Sequence, residues 1–201
     1  MEKNFAAVIL AAGYSSRMGE FKPLLPIAGK TAVQHVIDRF SDAGVRHIYV
    51  VTGHRGNELA AVLSTCGVTT VYNPAFHLGM FSSVQAGCRA LPAEIDAFFL
   101  VPVDTPLFET NTVHLLRERY LQGKECIVFP SYARRRGHPT LIASTLIPNI
   151  LAGSHEDGLR GVLESCGEYC YVNVEDKGVL LDMDVLVDYE QLKEYYRQSV
   201  L

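Results

Sequence analysis

The sequence predicts one α/β domain built on a mostly parallel sheet with helices on both faces. Two observations predict it: short apolar runs alternate with segments of helical periodicity through the first 130 residues, and no repeat, linker or low-complexity stretch divides the chain. A chain of 201 residues, 48% of them hydrophobic, is long enough to bury one substantial core. The expected domain spans residues 1–201.

In order, AAVILAA (6–12) reads as a strand buried on both faces, because apolar residues occupy every position. TAVQHVIDRFSDAG (31–44) reads as a helix: Thr31 can cap it, apolar residues fall at 33, 36, 37 and 40, and Gly44 can end it. RHIYVVTG (46–53) is a second strand, residues 56–67 a helix, and VTTVYN (68–73) a third strand. SSVQAGCRAL (82–91) is helical, AFFLVPVD (97–104) is a strand ending in an aspartate, and residues 111–123 are helical again. CIVFP (126–130) is strand-like. The last third is less regular: a basic loop over 131–140, a short helix near 159–165, strands over 169–174 and 178–184, and a closing helix over 187–198.

A formal net charge of −4 gives no basic footprint for nucleic acid, although a local cationic pocket is compatible with it. Five widely spaced cysteines suit free thiols in a reducing compartment, and Cys166 with Cys170 lacks the second half of a zinc site. No run approaches the ~20 apolar residues of a membrane span. The expectation is a cytoplasmic protein without a membrane partner.

In an open parallel sheet, ligands collect beyond the carboxyl ends of the strands. The strand over 6–12 therefore delivers Gly13 to the binding edge, followed by Ser15, Ser16, Arg17 and Lys22. Backbone amides of such a loop suit anions, the Arg17 guanidinium can grip phosphate oxygens two at a time, and Lys22 adds a point charge. GYSSRMG is neither G-x-G-x-x-G nor a loop ending in G-K-[ST], which disfavours a dinucleotide site and a P-loop.

LAAGYSSRMGEFKPLLPIAGKT resembles the signature of nucleotidyltransferases of the MobA-like NTP transferase family, and within it that of molybdenum cofactor cytidylyltransferases. NPAFHLGMFSSVQAG (73–87), VDTPL (103–107) and RGHPTLI (136–142) are similar to further motifs of the family. The resemblance implies a Rossmann-like, nucleotide-diphospho-sugar transferase fold of the GT-A kind. It implies attack by an acceptor phosphate on the α-phosphate of CTP, releasing pyrophosphate, with Mg²⁺ as cofactor. The acceptor it implies is a phosphorylated pterin-type molecule, molybdopterin, with a molybdoenzyme or its insertion chaperone as receiver. Alternatives are guanylyl transfer to the same acceptor, a sugar- or polyol-phosphate acceptor, and a non-catalytic pterin-binding chaperone.

Carried onto this chain, the resemblance makes Arg17, Lys22 and Asp104 catalytic. It assigns the nucleotide to Leu10, Ala11, Ala12, Gly13, Ser15, Ser16, Arg17, Lys22, Gly79, Ser83 and Asp104. The metal falls to Asp104 and Asp184, the latter within DMDVLVDYEQL, where Asp182 and Asp188 are also in register. The acceptor falls to Arg136, His138 and Arg160, with Glu156 standing where the family writes aspartate. Read without the resemblance, Asp104 and Asp184 fit helix caps, Ser83 a helix start, and Arg134 to Arg136 a solvated charge run. Pro102 replaces the glycine usual two residues before Asp104. The histidines at 35, 47, 54, 77 and 114 lack ligand spacing and read as surface or core residues; Cys88 and Cys126 read as small core residues.

Overall fold

The computed structural model describes residues 3–123, 126–166 and 168–199. Strand β1 (Phe5–Ala11) is buried along almost its whole length and lies inside the sheet, paired in parallel with β4 (His47–Thr52) on one side and β6 (Ala97–Pro102) on the other. Side chains that alternate across a strand need two cores to receive them. Ala7, Ile9 and Ala11 enter one core, against α1 (Ala32–Asp42), α2 (Gly56–Leu63) and α4 (Thr110–Gln122). Ala6, Val8 and Leu10 enter the other, against α3 (Met80–Ala90), α5 (Ile147–Ala152) and α6 (Gly158–Ser165).

Beyond β4 lies β5 (Thr69–Tyr72), again parallel. Beyond β6 the sheet turns mixed: β9 (Thr140–Ala143) runs antiparallel to β6 and to β7 (Ile127–Tyr132), and β10 (Tyr169–Asn173) closes the edge parallel to β7. The short β8 (Arg135–Arg136) hairpins onto β7. A separate ribbon, β2 (Pro26–Ile27) with β3 (Lys30–Thr31), follows the 3₁₀ turn at Lys22–Leu24. The closing helix α7 (Leu186–Ser199) packs on this ribbon, where Met183, Tyr189 and Leu192 meet Leu25 and Ile27. The Tyr189 hydroxyl donates to the Pro26 carbonyl, tying the end of the chain to the segment just after Lys22.

Thr31 precedes α1 as expected, its amide donating to Gln34 Oε1 at 2.9 Å. Asp188 caps the start of α7 by accepting from the Val185 amide at 3.0 Å. Three expectations change. The stretch 178–184 is not a strand: Gly178 packs on the Leu107 carbonyl, Lys177–Leu180 form a 3₁₀ turn, and the chain runs on without a ladder. Part of the basic loop is instead the hairpin of β8 with β7, and the loop ends at β9, which the sequence pattern missed. Ser82 and Ser83 lie inside α3, whose cap is Gly79. Among the described residues none of the five cysteines is in a disulfide, and burial pushes Cys88 up to about 12, which keeps it an inert core residue. Among the described residues, no helix is long and apolar enough to cross a membrane.

Candidate active site

β1 and β6 end side by side, with Leu10 paired to Pro102. Their continuations therefore leave the sheet together. From β1 come Ala11, Ala12 and the loop 13–17; from β6 come Val103 and Asp104. With Lys22, Pro23 and the start of α3, they line a cleft of about 310 Å³. Every residue expected to contact the nucleotide, from Leu10 through Lys22 to Gly79, Ser83 and Asp104, lines this one cleft. Pro102 does not disturb the carboxylate: the following amide, that of Val103, still donates to the Leu10 carbonyl at 3.0 Å.

The loop folds on Ser15. Ser15 takes a positive φ of 57°, and its carbonyl accepts from the amides of Met18 and Gly19 at 3.1 and 3.2 Å. Those two amides are thus turned into the loop, which narrows the expected anion-facing amides to the stretch before them. The Ser15 hydroxyl accepts from the Lys22 amide at 3.1 Å, so Ser15 positions Lys22.

Lys22 is 8% exposed, and its ammonium is held between two carboxylates, 2.7 Å from Asp184 Oδ1 and 3.2 Å from Asp104 Oδ2. The other oxygen of Asp184 meets the Arg17 guanidinium at 2.7 Å. These four groups form one ladder: Arg17, Asp184, Lys22, Asp104. Lys22 bonding, reinforced by the Arg17 charge, holds the Asp184 carboxyl below its ordinary value. Asp182 is pushed up, by partial burial and by the like charges of Asp184 and Asp104. Two carboxylates facing one cation are hard oxygen donors, a set that fits Mg²⁺ with phosphate oxygens completing its shell. Among the described residues no group of three or more histidines, cysteines or carboxylates could hold a metal by itself.

The acceptor candidates are not brought together in this cleft. Arg136 and Arg160 line a second cleft, on the face of β7 and β10, with Phe129, Tyr169 and Tyr171. There Arg136 stacks on Phe129 at 4.5 Å, and Arg160 pairs with Glu164 at 2.7 Å. Glu156 is exposed, and neither cleft includes it. His138 is half-buried behind Gly137, its amide donating to the Val179 carbonyl and its Nδ1 sealed, with no partner among the described residues. Desolvation lowers its imidazole to about 4 against the opposing pull of Asp104, so it is neutral near pH 7. Sequence reasoning missed Tyr14, Phe76, His77 and Met80, which rim the first cleft, and Asn73 beneath it. Tyr14 packs on Phe76 and His54, with centroids 5.3 and 5.0 Å away. Phe76 and His77 sit on a short 3₁₀ turn and Met80 opens α3, where no periodicity flags a rim position.

Comparison with known proteins shows the family and the fold. The profile of the MobA-like NTP transferase domain matches residues 7–170. The molybdenum cofactor cytidylyltransferase of Escherichia coli (strain K12) is 30% identical over 192 residues, spanning 95% of this chain and 96% of that protein. A bifunctional protein GlmU from Exiguobacterium sibiricum is 34% identical over 133 residues, and there the match spans only 29% of the relative's length. Among solved structures, a nucleotidyl transferase from Methanothermobacter thermautotroptrophicus superposes with a TM-score of 0.84 over 98% of this chain and all of its own, at 23% identity.

Proposed function

The chain belongs to the family of MobA-like NTP transferase domains, and from that premise we propose that it transfers CMP from CTP to the phosphate of a molybdopterin-type acceptor in the cytoplasm. An oxygen of the acceptor phosphate attacks the α-phosphorus, the bond to the bridging oxygen of the β-phosphate breaks, and pyrophosphate leaves carrying that electron pair. Such transfer asks the protein for alignment and charge neutralisation rather than covalent catalysis. The carrying observation is the ladder of Arg17, Asp184, Lys22 and Asp104 beside a strand-end loop in a single cleft.

In this reading Arg17 and Lys22 turn to the triphosphate and offset the charge that builds on the leaving group. Asp104 and Asp184 hold Mg²⁺, which supplies further neutralisation of the phosphates when bound. The backbone of Ala11 and Ala12 and the Ser83 hydroxyl read the base. Arg136 and Arg160, on aromatic walls, take the acceptor, and His138 stays a neutral neighbour rather than a proton carrier, since a phosphate nucleophile is already ionised near pH 7. The product passes to a molybdoenzyme or its insertion chaperone. The relative spanning both chains end to end supports the choice of CTP and of a pterin acceptor.

The test has two parts. Thermal denaturation with MgCl₂ and each of CTP, GTP, ATP and UTP is expected to rise selectively with CTP, because a ligand that binds the folded state stabilises it by its occupancy. Release of labelled pyrophosphate from CTP is then compared with phosphorylated pterin, sugar phosphate and polyol phosphate as acceptors. Selective response to GTP reassigns the base. Turnover only with a sugar or polyol phosphate reassigns the acceptor, and CTP binding without release under any acceptor leaves a binding protein.

A further inference from the structure

Asn73 is 3% exposed and does not itself line the cleft, yet its carboxamide is fully committed. Its Oδ1 accepts from the Ala75 amide at 3.0 Å. A backbone amide can only donate, so the orientation of the carboxamide is fixed and its nitrogen must face the other way. That nitrogen donates one proton to Ser82 Oγ at 2.9 Å and the other to Ser83 Oγ at 3.0 Å. Ser82 spends its own proton on the carbonyls of Ala75 and Gly79, 2.9 and 2.8 Å away. Ser83 receives a proton from Asn73, lines the cleft, and among the described residues has no protein acceptor for its own.

We propose that Asn73 is a positioning residue for nucleotide recognition: by occupying one lone pair of Ser83 it turns the hydroxyl proton toward the cleft, so that the base is read there through a hydrogen-bond acceptor, a ring carbonyl oxygen or an unprotonated ring nitrogen. This rests on the reading of the cleft as a nucleoside triphosphate site. Cytosine presents a carbonyl oxygen next to an unprotonated ring nitrogen, which matches the polarity that Asn73 imposes.

Asn73→Asp tests the polarity with almost no change of shape. A carboxylate still accepts from Ala75, but it accepts from the two serines as well, drawing the Ser83 proton inward and leaving a lone pair toward the ligand. The measurement is the dissociation constant of Mg·CTP by calorimetry, with GTP, ATP and UTP alongside, on variants whose folding is checked by circular dichroism. Ser83→Ala is expected to weaken CTP about tenfold, the size of one neutral hydrogen bond lost against an unpaired polar partner. Asn73→Asp is expected to weaken it at least as much and to change the order of the four nucleotides. The double variant Asn73→Asp/Ser83→Ala is expected to bind no worse than Ser83→Ala, because without the hydroxyl the carboxamide has nothing left to orient. If Asn73→Asp fails to fold, the same cycle run with Asn73→Ala must show the same non-additivity. Losses that multiply in the double variant, or a folded Asn73→Asp with the parent affinity and nucleotide order, overturn the proposal while leaving the triphosphate site standing. A parent protein that binds none of the four triphosphates overturns both.

Discussion

Replacing Lys22 by methionine keeps the unbranched apolar stem and removes the ammonium from between Asp104 and Asp184. The side chains of the three groups are 11%, 24% and 31% exposed, in that order. Removing one partner of a fully buried ion pair costs about 3–5 kcal/mol. Here both carboxylates keep contact with water and Asp184 keeps Arg17, so the loss should be about 1–2 kcal/mol. For a chain of this size that lowers Tm by roughly 2–8 °C. The pH dependence follows from Asp184. Its folded-state carboxyl is held below the ordinary aspartate value of 3.8, so its contribution is fully present above that value and is lost as pH falls through the lowered one. Lys22→Met removes the largest cause of the lowering. The stability gap between variant and parent should therefore be greatest near pH 7 and close as the pH drops below 3.8. Urea denaturation at a series of pH values reads the gap, and pyrophosphate release reads turnover, expected to fall more than 100-fold. A gap that widens on acidification, or parent-level turnover, would refute the assignment of Lys22 to both carboxylates and to the triphosphate.

Asp104→Asn should leave Tm nearly unchanged while cutting Mg²⁺-supported turnover more than 100-fold, checked by a metal titration of the rate. Arg136→Ala should raise the KM for the acceptor and leave CTP affinity alone; a change in CTP affinity instead would detach the second cleft from the acceptor. His138→Gln should remove an acid-sensitive component of stability. With the folded imidazole near 4 and the unfolded one near 6.5, that component is full above 6.5 and is lost as pH falls toward 4, so the variant's stability should vary less across this window in urea titrations. At Gly87 an added Cβ would sit 2.5 Å from Val8 Cγ1, so Gly87→Ala should lower stability by about 1–3 kcal/mol and weaken CTP binding, because α3 also carries Ser83.

The strands of the first half were legible because a strand buried on both faces leaves an uninterrupted apolar run, as Ala6 to Ala12 does. The loop was legible because glycine, two serines and two cations after such a run have a definite place in an open sheet. The failures have equally local causes. β9 is four residues long and follows directly on a loop rich in arginine, glycine and proline, so it offers no pattern of its own. Residues 178–184 have the apolar content of a strand, but Gly137 and Gly178 bring backbone so close to Val179 and Leu107 that no ladder can form there. The role of Asn73 was hidden for another reason: the family resemblance puts it at the head of a motif, but only its contacts reveal that its carboxamide is shared between two serines.

Asp184 shows most clearly what spacing cannot tell. Its partner Lys22 lies 162 residues away, and DMDVLVDYEQL offers three aspartates without saying which one turns inward. The ribbon and α7 decide it: Tyr189 is anchored to Pro26, Asp188 is spent on capping, and Asp184 is left facing the cations of the loop. The ladder is then charge-balanced, two cations against two carboxylates, which lets a buried lysine sit there without a large desolvation cost. The same balance constrains the proposed reaction. Arg17 and Lys22 can reach a triphosphate only by giving up Asp184 and Asp104, and those carboxylates can give them up only if another cation takes their place. Nucleotide and divalent cation should accordingly bind as strongly coupled ligands, CTP affinity rising with Mg²⁺ by much more than free Mg²⁺ affinity alone would suggest. In Arg17→Gln, where the Asp184 carboxylate loses one of its two cations in advance, that coupling should weaken. Equal CTP affinity with and without Mg²⁺ in the parent protein would mean that the cations and carboxylates do not exchange partners.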